Sequence, residues 1–331
     1  MGELLTILAD DVEDTERNVG DLLDADLTAL YESLVVTRIV DERCARLQQS
    51  GRIGFWAPSG TSAAVSAGAA RAFEDGDWLY PSYRDIGAFL VRGGSIEQLF
   101  TQVLSSRDDL ARGRQLPGHA TLPAGRFVSV SGPLATQIQH AAGTALAMKL
   151  RNDAHAVLAL FGVAATDQAA FQIGLSTAAR HAAPVVFVCR CPGVSLAPIV
   201  KANGVAPVSV DGTDILAVYM AARSAREAAV AGAGPTLIEA VVPKGTEALE
   251  PAARLRPYLE HRGVWDAGRE EEFGRRCEER VAAAVALAES AGPPPADTMF
   301  DDVWATRPWM LQEQSRKLRR LQDRTGYSTP R

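Results

Sequence analysis

Few residues in this chain have the types and spacing that side-chain catalysis demands. Five histidines, His119, His140, His155, His181 and His261, are the groups able to move a proton near neutral pH. Cys189 and Cys191 form a C-x-C pair, but with no neighbouring His or Cys they make a poor zinc site. A buried thiol followed by a loop thiol is the simpler expectation for them. No Gly-rich phosphate loop, Ser-His-Asp order or metalloprotease helix occurs. The basic cluster Arg316, Lys317, Arg319 and Arg320 reads as the solvated face of a polar helix.

Any site must therefore be assembled by the fold. Ala156 to Phe161 is a continuous apolar run ending at Gly162, and a helix-compatible stretch follows from Asp167 to Arg180. Pro184 to Cys189, Ala206 to Asp211 and Thr236 to Val242 read as further strands, with a helix over Ile215 to Ala231 between the last two. Short apolar strands alternating with helices predict an α/β fold, a mostly parallel sheet covered by helices on both faces. In such sheets ligands sit beyond the carboxyl ends of the strands. The turns that matter are then Gly162 to Asp167, Arg190 to Leu196 and Pro243 to Glu247. Helical spacing also predicts helices over Leu27 to Gln49, Ser62 to Phe73, Asp266 to Ser290 and Leu311 to Arg324. Residues 1–26 are acidic and read as a flexible arm, 27–265 as the α/β domain, and 266–331 as a helical extension.

Bulk properties narrow the class. The 331 residues carry a formal charge of −6, which excludes a basic nucleic-acid-binding domain as the default. With 47% hydrophobic residues the chain can bury a sizeable core. Four cysteines, Cys44, Cys189, Cys191 and Cys277, are too scattered for a disulfide framework and suit a reducing, cytoplasmic compartment. The acidic N-terminus does not read as a signal peptide, and no window approaches the roughly 20 apolar residues of a spanning helix.

Eight blocks match one family in order and spacing. They are Gly51 to Trp56, Gly76 to Gly93, Gly113 to His119, Ser131 to Lys149, Ala183 to Arg190, Val210 to Tyr219, Gly234 to Ala240 and Arg254 to Asp266. In these the chain resembles the alpha subunit of the thiamine-diphosphate-dependent decarboxylating component of 2-oxoacid dehydrogenases. The blocks PLATQ and GRQ-P-H resemble the branched-chain (2-oxoisovalerate) type. The resemblance runs from about Leu27 to the C-terminal helix.

The resemblance implies a thiamine-diphosphate-binding fold with helical N- and C-terminal extensions. It also implies an α2β2 heterotetramer with a beta-type subunit and cofactor at the interface, and acyl transfer to a lipoyl-carrier acyltransferase. The family holds Mg²⁺ through a carboxylate in one strand-end turn and an amide in the next. Here Val163, Pro192 and Val194 stand at the ligand positions, and an isopropyl group or a proline ring offers magnesium no oxygen. The family's His-containing loop corresponds to Pro243 to Pro251, which has no His and is shorter, and Ala63 replaces a glutamate. His119, at the end of the matching block Gly113 to His119, is the catalytic candidate. Tyr83, Arg84, Leu134 and Arg190 match cofactor-binding positions, while the alternative for the arginines is pairing with carboxylates such as Asp85 or supporting the subunit interface. Ser131, Pro133, Thr136 and Gln137 match a monovalent-cation (potassium) loop, with a purely structural loop as the alternative.

Three functions follow as expectations. The first is a non-catalytic structural or regulatory partner that keeps the alpha-subunit fold without anchoring magnesium and thiamine diphosphate. The second is an active 2-oxoacid dehydrogenase using another anchor such as Asp167, and the third a pocket turned to a different anion. The first two predict an oligomer.

Overall fold

The apolar runs become one wholly parallel, five-stranded sheet in this computed structural model, which describes residues 4–9, 12–193, 195–243 and 250–325, with Arg17 described by its backbone alone. In chain order the first elements are α1 (Val12–Asn18), α2 (Asp24–Gln49), α3 (Ala63–Arg71), β1 (Trp78–Tyr80), α4 (Ile86–Val91), α5 (Ile96–Val103), α6 (Thr136–Leu150) and β2 (Val157–Gly162). There follow α7 (Ala169–Arg180), β3 (Val185–Cys191), α8 (Ala197–Ala202), β4 (Ala206–Asp211), α9 (Ile215–Val230), β5 (Thr236–Val241), α10 (Pro251–His261), α11 (Ala267–Ala291) and α12 (Trp309–Thr325). The strand order is β1-β2-β3-β5-β4.

Side-chain alternation explains why the strands read as unbroken apolar runs. Val157, Ala159 and Phe161 of β2, with Val185, Phe187 and Cys189 of β3, join a core with α6 and α7. Leu158, Leu160, Val186 and Val188 point the other way, into a core with α2, α3 and α9. With both faces buried, neither set can be polar. Gly68 allows α3 to lie directly on α9, because a Cβ there would sit 2.9 Å from the Ile215 carbonyl oxygen.

Buried carboxylates tie the layers together. Asp77 accepts the Ala156 N–H at 2.7 Å and pairs with Arg226 Nε of α9 at 2.7 Å, joining the entries to β1 and β2 to a helix of the next layer. Asp214 caps α9 by accepting the Leu216 and Ala217 N–H groups at 3.0 Å. The C-terminal helix α11, capped by Asp266, lays Cys277, Val281, Ala284, Val285 and Ala288 into the core shared with α2 and α5. Its Glu270 accepts from both Tyr31 and Trp265 at 2.8 Å.

The N-terminal arm differs from the expectation drawn from composition. Leu5 bridges Val210 at the edge of β4, and Ile7 and Leu8 are buried. Their N–H groups both donate to Asp214 at 2.7 Å, so one carboxylate caps a helix and anchors the arm. A segment with only a few apolar residues is docked because the exposed strand edge offers hydrogen bonds that composition does not reveal. Strand β1 was equally hidden, since three residues are too short to show a period. The helix expected from Asp167 begins two residues later, after a 3₁₀ turn over Val163–Asp167 and an extended Gln168.

Replacing Asp214 by Ala removes the cap and the arm's anchor together. The expected loss is about 3 kcal/mol in denaturant unfolding, from roughly 1 kcal/mol for the cap and 1 to 3 for the unsatisfied N–H groups. Faster proteolysis within the first ten residues should accompany it; an arm as protected as in wild type would show that other contacts hold it.

Candidate functional site

Beyond the carboxyl edge of the sheet, the ends of four strands surround a cavity of about 390 Å³. The segment after β1 contributes Ser82, Tyr83 and Arg84, and β2 with its 3₁₀ turn contributes Phe161 to Ala165. Strand β3 ends in Arg190, Cys191 and Pro192, and β5 leads into Val242 and Pro243. The rim is closed by Ser59, Thr61 and Ser62 before α3, and by Ser131 to Leu134 with Gln137 at the entry to α6. Tyr83, Arg84, Leu134 and Arg190, the four cofactor-binding candidates, all line this one cavity.

Electrostatics separates the two arginines. Arg190 is ion-paired with Asp85, whose side chain is fully buried, and its second nitrogen donates to Ser82 Oγ at 2.7 Å. Asp85 also accepts the Ser82 N–H and hydroxyl, both at 2.7 Å. The charge of Arg190 is thus used inside the protein. Arg84 is exposed, donates to the Pro58 carbonyl at 3.1 Å and lies 5.6 Å over the Tyr83 ring. Among the described residues no carboxylate lies within ion-pair distance of it.

Asp41 of α2 fixes the rim from below. It accepts Trp56 Nε1 at 3.1 Å and the Ser59 N–H at 2.8 Å, and burial pushes its carboxyl up to about 6 from the ordinary value of 3.8. Sequence reading missed it. The signal was present, since Thr37, Asp41 and Cys44 lie on the buried stripe of α2, where an acid must have partners.

The two positions expected from the resemblance to face a divalent metal carry carbon. Val163 and Pro192 line the cavity with hydrocarbon, and among the described residues no Asp, Glu or Asn lines it. Asp167, the substitute anchor, is exposed and outside that lining. Cys191 does line the cavity, but burial raises its thiol and leaves it a weak nucleophile. Val194, and the loop from Lys244 to Leu249 that replaces the expected His-containing segment, lie outside the described residues. His119 is buried in an aromatic layer, stacked on Tyr83 at 5.8 Å and tilted against Phe55 at 6.2 Å, and is not part of the cavity lining.

The 131–137 loop is built tightly. Ser131 Oγ donates to Thr136 Oγ1 at 3.2 Å, and Thr136 Oγ1 donates to the Pro133 carbonyl at 2.7 Å. Gln137 Nε2 donates to the Leu160 carbonyl at 3.2 Å, whereas its buried Oε1 has no hydrogen-bond partner.

Two outcomes follow from these charges. Arg190→Met strands a buried carboxylate at Asp85 and should cost about 3 to 5 kcal/mol of stability; an unchanged urea midpoint would show the pair to be dispensable. Asp41 has a folded pKa above its unfolded one, so the folded state binds more protons between about pH 4 and 6 and stability falls as pH rises through that window. The contribution lost by pH 7 is roughly 3 kcal/mol, and in Asp41→Asn that part of the pH dependence should vanish from unfolding curves.

The site also has relatives. A family model described as "Dehydrogenase E1 component" matches residues 31–242. The alpha subunit of human mitochondrial 2-oxoisovalerate dehydrogenase is 30% identical over 335 residues, covering 91% of this chain and 75% of its own. Subunit alpha 1 of the Arabidopsis thaliana mitochondrial enzyme is 29% identical over 326 residues, covering 88% and 69%. A solved Mycobacterium smegmatis chain, described as a thiamin diphosphate-dependent enzyme, superposes with a TM-score of 0.38 at 21% identity over 56% of this chain and 32% of its own, so this chain spans about a third of it.

Proposed function

Because the chain belongs to the dehydrogenase E1 component family, as an alpha-type chain of the branched-chain 2-oxoacid dehydrogenase kind, we propose that it is the alpha-like partner of a beta-type subunit in an α2β2-like assembly and does not itself anchor magnesium and thiamine diphosphate. Its role is then structural or regulatory. The observation that carries this reading is the wall of the cavity, where Val163 and Pro192 supply carbon and, among the described residues, no carboxylate is present. Magnesium takes a near-octahedral shell of hard oxygens, and the lining residues do not fit it. A diphosphate without its metal would face one uncommitted guanidinium, that of Arg84, since Arg190 is matched by Asp85. The exposed apolar side chain of Leu134 at the cavity rim, and that of Ile173 on α7, support a partner surface.

The fit to potassium is better. A buried, partnerless Oε1 at Gln137, beside Ser131, Pro133 and Thr136, is the kind of acceptor that a monovalent cation satisfies. We place potassium there as a structural ion. The compartment is a reducing one, the cytoplasm, in keeping with four free, buried cysteines; among the described residues no helix is long and apolar enough to cross a membrane. Transfer to a lipoyl carrier belongs to whichever assembly the chain joins.

Calorimetric titration of thiamine diphosphate with Mg²⁺ into the chain, alone and copurified with a beta-type subunit, tests the reading. No binding and no 2-oxoacid decarboxylation is expected, and micromolar metal-dependent binding with turnover would overturn it. Melting in KCl against choline chloride at equal ionic strength should show a rise of about 2 °C that Gln137→Leu removes; identical melts in both salts would leave the loop purely structural.

A further inference from the structure

The cavity is retained although the group its position suits does not fit it, and its chemistry selects something else. From the match between charge and lining we infer that it binds an amphiphilic anion without metal: one carboxylate or one phosphate monoester head group carried on a short aliphatic body. The inference rests on the preceding reading that magnesium and thiamine diphosphate are not held.

Charge is the first argument. The lining contains two cationic residues and, among the described residues, no acidic one. Arg190 is neutralised by Asp85, so one positive charge, on Arg84, faces the cavity uncompensated. That matches one anionic head group on a ligand. A second anionic group would meet no partner and would pay its desolvation unaided.

Donors are the second argument. The Thr61 hydroxyl, on the same rim as Arg84, forms no hydrogen bond within the described residues. Together they offer a charged and a neutral donor to one head group, and guanidinium is suited to carboxylate and phosphate alike. The Tyr83 hydroxyl, also in the lining, likewise forms no hydrogen bond within the described residues, whereas the serine hydroxyls of this rim are engaged: Ser59 donates to the Arg84 carbonyl at 2.9 Å, Ser62 to the Ser59 carbonyl, and Ser82 to Asp85.

The body of the ligand follows from the opposite wall. Phe161, Val163, Ala164, Pro192, Val242 and Leu134 offer hydrocarbon where a divalent ion would need oxygen. A space of about 390 Å³ lies within the usual range of small-molecule sites and holds an aliphatic chain of several carbons with its head group at the rim. The substitutions that remove a metal thus create an apolar subsite. Val163 is the pivotal one, because a carboxylate at that position would repel an anion as readily as it would bind a cation.

The test uses full-length chain, alone and with a copurified beta-type partner, in EDTA, with hexanoate, hexyl phosphate, acetate and hexan-1-ol as calorimetric probes. Hexanoate or hexyl phosphate should bind about tenfold or more tightly than acetate or hexanol, since head and body both contribute, and their ratio identifies the preferred head group. Arg84→Gln and Val163→Asp should each weaken that binding by about tenfold while the melting temperature stays close to wild type. Failure of both hexyl probes to exceed hexanol, or affinity unchanged in both variants, would overturn the inference. If they fail while thiamine diphosphate with Mg²⁺ is also silent, only this inference falls; metal-dependent thiamine diphosphate binding would remove the functional reading beneath it as well.

Discussion

The arrangement of the cavity depends on one buried ion pair. Arg190 closes β3 and Asp85 opens α4, and between them Ser82 accepts from one and donates to the other. Arg190 lies in β3, whereas Ser82 and Asp85 follow β1, and β2 lies between β1 and β3 in the sheet. The pair therefore spans the carboxyl edge and fixes the distance between two walls. A buried pair adds little net stability over well-packed hydrocarbon, yet removing one partner is expensive. Its value here is positional: it holds the Ser82 to Arg84 turn against the sheet, and so decides where Arg84 points.

A parallel sheet leaves its strand carboxyl ends open by construction, because each chain must leave the strand there and cross to the next. The resulting hollow does not require a ligand to exist. In this chain it is held by protein groups alone: Asp85 under one wall, Asp41 under the 56–62 rim, and the hydrogen-bonded 131–137 loop at the mouth. Hydrocarbon side chains at Val163 and Pro192 are tolerated for that reason. Neither side chain carries the fold, since β2 and β3 are fixed by their register from Val157 with Val185 to Gly162 with Arg190.

Much of this was legible in the sequence, for a physical reason. Strands buried on both faces cannot hide: β2 and β3 were visible as the apolar runs Ala156 to Phe161 and Pro184 to Cys189, and Thr236 to Val242 read as a strand despite Glu239. The convergence of Tyr83, Arg84, Leu134 and Arg190 was legible through a family resemblance and not through spacing, because they come from three segments up to 107 positions apart. What stayed illegible was pairing. Nothing local to Arg190 shows that Asp85 neutralises it, and nothing local to Leu5 shows that β4 offers it an edge. Such facts live in long-range contacts, where composition is silent.

The same distinction bears on what a retained arginine means. Two guanidiniums at one cavity look alike in sequence, and both match positions associated with an anionic cofactor. In the folded chain one is matched by a buried carboxylate and the other is exposed and unmatched. Retention of Arg190 is therefore explained by the fold, because its loss would strand Asp85 in a dry interior. Arg84 makes one bond to the Pro58 carbonyl, which a neutral donor could supply, and a contact over the Tyr83 ring, and it holds no buried carboxylate among the described residues. An exposed charge kept beside a hydrocarbon wall, with no acid to hold it, is where the chemistry of this pocket still has a demand to meet.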